Sequence, residues 1–169
     1  MNSVAIATQS TPISPITIER AQRGWRLHAS VWLAKPVEEI FPFFANARNL
    51  ERITPPFLKF NVVTPEPIDM KAGALIEYRL KVRGIPMKWT SRIAQWEHNV
   101  QFVDEQIKGP YRRWHHTHTF EAADGGTLAR DIVEYAVPGG AIAHTFFVKR
   151  DVKSIFAYRG TRLVELFND

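Results

Sequence analysis

The sequence predicts an α+β domain in which a curved antiparallel sheet of about six or seven strands wraps around a long C-terminal helix, with two short helices after the first strand. Apolar and polar residues alternate with a period of two through most of residues 24–137. Prolines bracket a helical interruption at 36–56, and residues 141–167 carry apolar side chains at steps of three and four. An antiparallel sheet of this size curls, and the last helix is the only element long enough to cover its concave face.

The first strand is predicted at residues 24–33, where every second side chain is apolar. A segment from Pro36 to Pro56 follows, with acidic residues near its start and prolines at both ends, which is typical of short helices. A break near Pro42 or Asn46 divides this segment into two helices.

Six further strands complete the predicted sheet, and turn residues separate most of them. The connections around Gly84, Gly109 and Gly125 are short enough for hairpins. The strands are expected at residues 57–65, 74–83, 87–97, 101–107, 110–121 and 127–137. The last helix is expected at 141–167, and Arg159 falls on its apolar stripe.

Composition indicates one domain at residues 18–169, preceded by a flexible tail at 1–17 that is rich in Ser, Thr and Pro. The chain has no cysteine, which excludes disulfides, thiol catalysis and cysteine-based zinc sites. It also has no run of about 20 apolar residues and no signal-peptide pattern at its start, so no integral membrane association and a cytoplasmic location are expected.

The basic character of the chain raises the possibility of nucleic-acid binding, with a formal charge of +5 and a pI near 9.7. The 22 Lys and Arg residues are scattered among 17 acidic residues, and no basic run exceeds two residues. A solvated basic surface without nucleic-acid binding is therefore expected.

The most informative segment is GPYRRWHHTHTF, where Trp114, His116, His118 and Phe120 alternate along the strand. In extended backbone these four side chains share one face of the sheet. Two polar imidazoles among large aromatic residues favour a lined cavity over a plain core.

Several segments of the chain resemble the SRPBCC superfamily, which contains START-like lipid-transfer domains and polyketide cyclase or dehydrase-like proteins. They are NLERITPPFLKF, the spacing of Trp89, Ile93 and Trp96, FVDEQIKGPYRRWHHTHTF, and DIVEYAVPGG before the last helix. The resemblance covers roughly residues 16–167 and implies the helix-grip fold, in which the sheet and the long helix enclose a ligand cavity. Members bind sterols, quinones, hormones and polyketides, and only some are enzymes, so the resemblance specifies function less well than fold.

Strand parity assigns one face of each strand to this cavity, although a slip of one residue inverts a whole strand. Large apolar walls with a few polar groups suit a flat or elongated apolar ligand that carries oxygen functions. The expected ligand-binding residues are Tyr78, Leu80, Trp89, Ile93, Phe102, Gln106, Trp114, His116, His118, Phe120, Val133, Tyr135 and Arg159. Asp131 shares the inward parity of Val133 and Tyr135.

His116 and His118 admit three interpretations. They can contact a ligand and donate protons, form a structural hydrogen-bond network with Asp131, or provide half of a metal site. The metal reading needs further ligands from Asp131, Gln106 or elsewhere, so neither a metal nor a cofactor is expected. Arg159 can clamp a carboxylate or phenolate, or pair with an acid at the cavity rim.

Three functions follow from these features. The chain can be a carrier or sensor for a small hydrophobic or aromatic molecule that is lipid-, quinone- or polyketide-like. It can be a cyclase or dehydratase-like enzyme in which His116 or His118, oriented by Asp131, transfers protons. It can also be an interaction module or homodimer that uses its tail and the apolar face formed by Phe41, Phe43 and Phe44.

Overall fold

The computed structural model describes residues 11–168, which form one antiparallel sheet covered by helices. The strands pair in the order β1-β2-β8-β7-β6-β5-β4-β3. Their bounds are β1 Thr17–Ala21, β2 Gly24–Leu33, β3 Asn61–Val62, β4 Leu75–Val82, β5 Ile85–Glu97, β6 Gln101–Lys108, β7 Arg113–Ala123 and β8 Gly126–Ala136. The predicted α+β helix-grip architecture is confirmed, with eight strands where about six or seven were expected.

Helical segments connect β2 to β3, as the sequence predicts. Helix α1 spans Val37–Phe44, and 3₁₀ helices follow at Ala47–Ile53 and Pro56–Leu58. The break occurs at Asn46, whose extended backbone ends the first helix and whose side chain accepts a hydrogen bond from the Arg48 amide. Pro42 is accommodated inside α1.

The C-terminal helix lies across the concave face of the sheet in three consecutive parts. Helix α2 spans Gly140–Ala143, a π-helical turn follows at His144–Val148, and helix α3 spans Lys149–Phe167. Its buried face includes Val152, Phe156, Arg159 and Leu163. Within residues 11–168 no helix combines the length and apolarity needed to cross a bilayer.

The turn between β7 and β8 sets the register that the functional site depends on. Asp124 and Gly125 both have positive φ angles, 49° and 77°, as in the tight turns that join antiparallel strands with two residues. The resulting register pairs His118 of β7 with Asp131 of β8. Because directly paired residues point to the same face, the imidazole and the carboxylate meet.

Two hydrophobic clusters hold the helices on the sheet and leave a hollow beside β4 to β7. One cluster lies under α1 and the end of α3, with Ile40, Phe41 and Leu163 nearly inaccessible. The other lies under α2 and the start of α3 and includes Tyr135 and Val152.

The phenylalanines expected to form a partner-binding face on α1 are not available at the surface. Phe41 and Phe43 are buried, and the partly buried Phe44 packs edge-on against Phe120. The prediction of an exposed apolar face on α1 is therefore wrong, because this helix packs that face into the core.

The start of the chain extends the sheet edge further than expected. The Trp32 amide donates to the Pro12 carbonyl at 2.7 Å, and the Ser14 amide donates to the Ser30 carbonyl at 3.0 Å. Residues 12–14 of the predicted tail thus lie along β2, while residues 1–10 are outside the described part of the chain.

Candidate functional site

A cavity of about 660 Å³ lies between the concave face of β4 to β7 and the middle of α3. This volume is in the range of pockets that hold drug-sized ligands. Most of the wall is apolar, and it includes Ile76, Tyr78, Leu80, Trp89, Ile93, Phe102, Tyr111, Trp114 and Phe156. A narrow polar region on the sheet side interrupts the apolar wall.

Three aromatic residues form one end of the apolar wall. Trp89 is edge-on to Trp114 and to Tyr111, with ring centroids 5.3 Å and 5.6 Å apart. The Trp89 indole donates a hydrogen bond to the Ser91 hydroxyl at 3.0 Å, so its polar edge is satisfied inside the protein. These contacts fix the rings in place before any ligand binds.

The polar region consists of two histidines and two aspartates, which strand pairing brings together. In the β6–β7 ladder Asp104 pairs with His116, and in the β7–β8 ladder His118 pairs with Asp131. We call Asp104, His116, His118 and Asp131 the His-Asp cluster. Both imidazoles are buried, each with 4% of its surface exposed.

Every imidazole nitrogen in the His-Asp cluster faces a carboxylate oxygen. Asp131 Oδ1 lies 2.8 Å from His116 Nε2 and 3.0 Å from His118 Nδ1. Asp104 Oδ2 lies 2.8 Å from His118 Nε2 and 3.5 Å from His116 Nδ1. The two imidazole rings have centroids 3.7 Å apart and are tilted by 35°, and Phe102 stacks on His118.

Arg159 brings a fifth charged group from α3. Its Nε lies 3.5 Å from Asp131 Oδ2, and its Nη2 lies 3.4 Å from His118 Nδ1. The residue is 93% buried, lines the cavity and packs its guanidinium over Phe44 and Phe156. Its Nε has no hydrogen-bond partner among the described residues, so a donor inside the cavity wall is unused.

Burial and neighbouring charges shift the pKa of all four members of the His-Asp cluster. Burial lowers the pKa of His116 to about 4, and the adjacent His118 acts in the same direction. Burial also opposes ionisation of His118, but its hydrogen bonds to Asp104 and Asp131 outweigh this effect and raise its pKa. Burial alone would raise the pKa of both aspartates. The His118 hydrogen bond nevertheless lowers the pKa of Asp104, and the Arg159 charge lowers the pKa of Asp131. With His116 neutral and His118 protonated, the two carboxylates, the guanidinium and the imidazolium sum to zero.

Residues 33–155 match the family model described as polyketide cyclase / dehydrase and lipid transport. The chain belongs to this family. The match covers most of the helix-grip domain, including the His-Asp cluster, and it confirms the resemblance to the SRPBCC superfamily. Among curated proteins, none matches the chain.

Solved structures support the same fold. The protein Ms6760 from Mycobacterium smegmatis is 21% identical, with a TM-score of 0.65 over 90% of this chain and 97% of that one. CV1439 from Chromobacterium violaceum is 12% identical, with a TM-score of 0.66 over 85% of this chain and 98% of that one. A nucleoside-diphosphate sugar epimerase from Corynebacterium glutamicum is 25% identical with a TM-score of 0.62; the match covers 82% of this chain but only 28% of the epimerase.

Nine of the residues expected to bind the ligand lie on the cavity wall in this family member. They are Tyr78, Leu80, Trp89, Ile93, Phe102, Trp114, His116, His118 and Arg159. Asp131 is inward as expected but lies behind the histidines, where it contacts both of them.

Four of the assigned residues do not line the cavity. Phe120 is covered by Phe41 and Phe44, and Val133 and Tyr135 belong to the cluster under α2 and α3. Gln106 is engaged elsewhere, because its amide donates to the Tyr111 carbonyl at 2.7 Å and accepts from the Tyr111 amide. Parity predicted the face of the sheet, but the helices decide which part of that face stays open.

Many wall residues lie outside the predicted set, and three that bear polar groups are Asp104, Ser91 and Tyr111. Asp104 lies between Phe102 and Gln106 on the same strand parity, so the alternation contained the signal for it. Ser91 lies two residues after Trp89, so strand alternation also predicts it on the cavity face. Tyr111 is in a loop, held by Gln106, and no periodic pattern could have placed it.

Proposed function

We propose that the chain binds a small, mainly apolar molecule with one carboxylate or phenolate group in this cavity, and acts as its carrier or sensor. The observation that carries the proposal is the pairing of an apolar cavity of about 660 Å³ with a buried, incompletely satisfied Arg159. Lipid-, quinone- and polyketide-like molecules combine an apolar body with oxygen functions and fit this description. The family description, which includes lipid transport, supports the same ligand class.

The ligand oxygen is expected to meet Arg159. A guanidinium presents a planar fork of donors that matches a carboxylate better than any single donor does. Its Nε forms no hydrogen bond within residues 11–168, since even Asp131 Oδ2 is 3.5 Å away, and an acceptor group supplied by the ligand would satisfy it. The apolar body of the ligand would then lie against Trp89, Trp114 and Phe156.

A pair of fluorescent probes tests this proposal. cis-Parinaric acid and its methyl ester share the apolar chain and differ only in the ionised carboxylate. We expect the full-length protein to bind the acid at least about tenfold more tightly, because a charge-assisted hydrogen bond contributes about 1.5–3 kcal/mol.

The matched variants are Arg159→Met and Arg162→Met. Arg162 lies on the same helix but is partly exposed and pairs with Glu165, so its replacement should leave both affinities unchanged. Arg159→Met should remove the preference for the acid. Equal binding of acid and ester by the wild type would refute the role of Arg159, and failure of both probes to bind would count against the ligand class.

The His-Asp cluster favours a cyclase or dehydratase-like reaction as a second candidate function. Two buried imidazoles on the wall, each in contact with two carboxylates, exceed what apolar ligand binding alone requires. In this candidate His116 or His118, oriented by Asp131, transfers a proton on the bound molecule. Replacing both histidines with Gln should then abolish turnover of a polyketide-like substrate while retaining parinaric acid binding; unchanged turnover would eliminate this candidate.

A further inference from the structure

We propose that Asp104, His116 and His118 form a binding site for one divalent transition-metal ion on the cavity wall. Each residue offers one ligand atom, and the three atoms lie within 4.8 Å of one another. The site would use two imidazole nitrogens and one carboxylate oxygen, a donor set suited to zinc, iron, cobalt or nickel rather than calcium or magnesium.

The spacing of the donor atoms fits a common ion. Asp104 Oδ2 lies 2.8 Å from His118 Nε2 and 3.5 Å from His116 Nδ1. Ligand bonds of about 2.0–2.2 Å place neighbouring donor atoms roughly 3 Å apart around one metal. Only small side-chain movements are therefore needed to accept an ion.

The second carboxylate orients both imidazoles for this task. Asp131 Oδ1 is within hydrogen-bond distance of His116 Nε2 and His118 Nδ1, at 2.8 Å and 3.0 Å. Metal-binding histidines usually donate their other ring N–H to such a group, which fixes the tautomer and the direction of the ring. Here one carboxylate serves both histidines, and Arg159 lies beside its other oxygen at 3.5 Å.

The position of the site leaves room for a ligand. Asp104, His116 and His118 all line the cavity, whereas Asp131 lies behind them. Three protein ligands leave coordination positions open, as in catalytic rather than structural zinc sites. With neutral imidazoles, two carboxylates, one guanidinium and a divalent ion give a charge of +1, which complements an anionic oxygen.

A hydrogen-bonded network without metal is the competing arrangement, and the two differ in one feature. In the network a proton occupies the contact between Asp104 Oδ2 and His118 Nε2, whereas an ion would replace that proton. An occupied site would also remove both imidazoles from proton transfer. The proton-transfer role proposed above for the second candidate function would then be excluded.

The test uses the full-length protein after treatment with a chelator. Zn²⁺ is titrated at pH 7.5 in competition with a chromophoric chelator, and no organic ligand is added. We expect one ion per chain, with affinity reduced at least about 100-fold by Asp104→Asn or His118→Gln and about 10- to 100-fold by Asp131→Asn. The matched control is His115→Gln, because His115 lies on the same strand but contacts Glu105 instead of the cluster, and it should change the affinity less than about threefold.

A second measurement needs no variant and therefore does not depend on how the variants fold. Anomalous scattering from crystals of the wild-type protein soaked in Zn²⁺ should place the ion between Asp104, His116 and His118. An ion located elsewhere, equal affinity in all variants, or no binding at about 100 µM Zn²⁺ would overturn the proposal. Because the titration contains no parinaric acid, its failure would leave the ligand-binding proposal intact.

Discussion

Replacement of Asp131 by Asn tests whether the His-Asp cluster holds together as charged groups. The substitution preserves shape but removes the negative charge that faces His116, His118 and Arg159. An amide can accept from one imidazole through its oxygen, but its NH₂ group then points toward another donor. Arg159 would lose its nearest carboxylate inside the protein.

The expected magnitude follows from these contacts. A hydrogen bond to a charged group contributes about 1.5–3 kcal/mol, and breaking a buried ion pair by removing one partner costs about 3–5 kcal/mol. Asp104 still provides one negative charge to His118. We therefore expect Asp131→Asn to lower the free energy of unfolding by about 3–5 kcal/mol.

Urea unfolding at pH 7 in the presence of a chelator, followed by tryptophan fluorescence, measures this change. Asp69→Asn is the control, since Asp69 forms an exposed pair with Lys71 and its loss should change stability by less than about 1 kcal/mol. Because the folded-state pKa of Asp131 is lowered, its contribution is present above the unfolded value near 4 and lost as the pH falls below it. A loss below about 1 kcal/mol at pH 7 would refute the charged cluster.

Three further predictions concern the surrounding structure. Gln106→Ala should weaken parinaric acid binding several-fold, because Tyr111 would lose the two hydrogen bonds to Gln106 that hold it on the cavity wall. Unchanged affinity in a fluorescence titration would contradict this role of Gln106. Burial lowers the pKa of His144 to about 4, so its contribution to stability is complete above about pH 6.5 and is lost as the pH falls toward 4. The free energy of unfolding of His144→Gln should thus fall less steeply over that range than that of the wild type. Urea unfolding at several pH values measures this, and an equal fall in both proteins would disprove it. Gly24→Ala should lower stability by at least about 2 kcal/mol, because its Cβ would lie 2.1 Å from the Tyr135 carbonyl oxygen. The control Gly84→Ala has a positive φ but open space around its Cβ, and it should lose only about 1 kcal/mol. Equal shifts of the melting temperature in the two variants would refute this prediction.

Sequence periodicity was sufficient to predict most of the strands and the last helix, because the sheet and the helix each bury one face against the other. It missed β1, whose residues are exposed or half-buried and so show no two-sided pattern. Strict alternation along residues 87–97 would also put Trp96 on the opposite face of the sheet from Trp89. Irregular pairing between Ile93 and Gln95 shifts the parity of β5, and Trp96 packs against Phe102 on the inner side.

Prediction of the site succeeded where strand pairing alone determines it. Alternation on β7 and β8 was enough to bring His116, His118 and Asp131 together. The open part of the cavity depends instead on where α1 and α2 pack, which is why Phe120 and Tyr135 are covered. Such tertiary packing leaves no periodic trace in a single sequence.

The indole resonances of the five tryptophans provide the most direct test of ligand binding inside the cavity. In ¹⁵N–¹H spectra recorded during titration with cis-parinaric acid, the Trp89 and Trp114 signals should shift, because both rings line the cavity. The Trp25 and Trp32 signals should stay in place, since neither ring is on that wall. Unmoved Trp89 and Trp114 signals at saturating probe, or shifts confined to Trp25 and Trp32, would contradict binding between the sheet and α3.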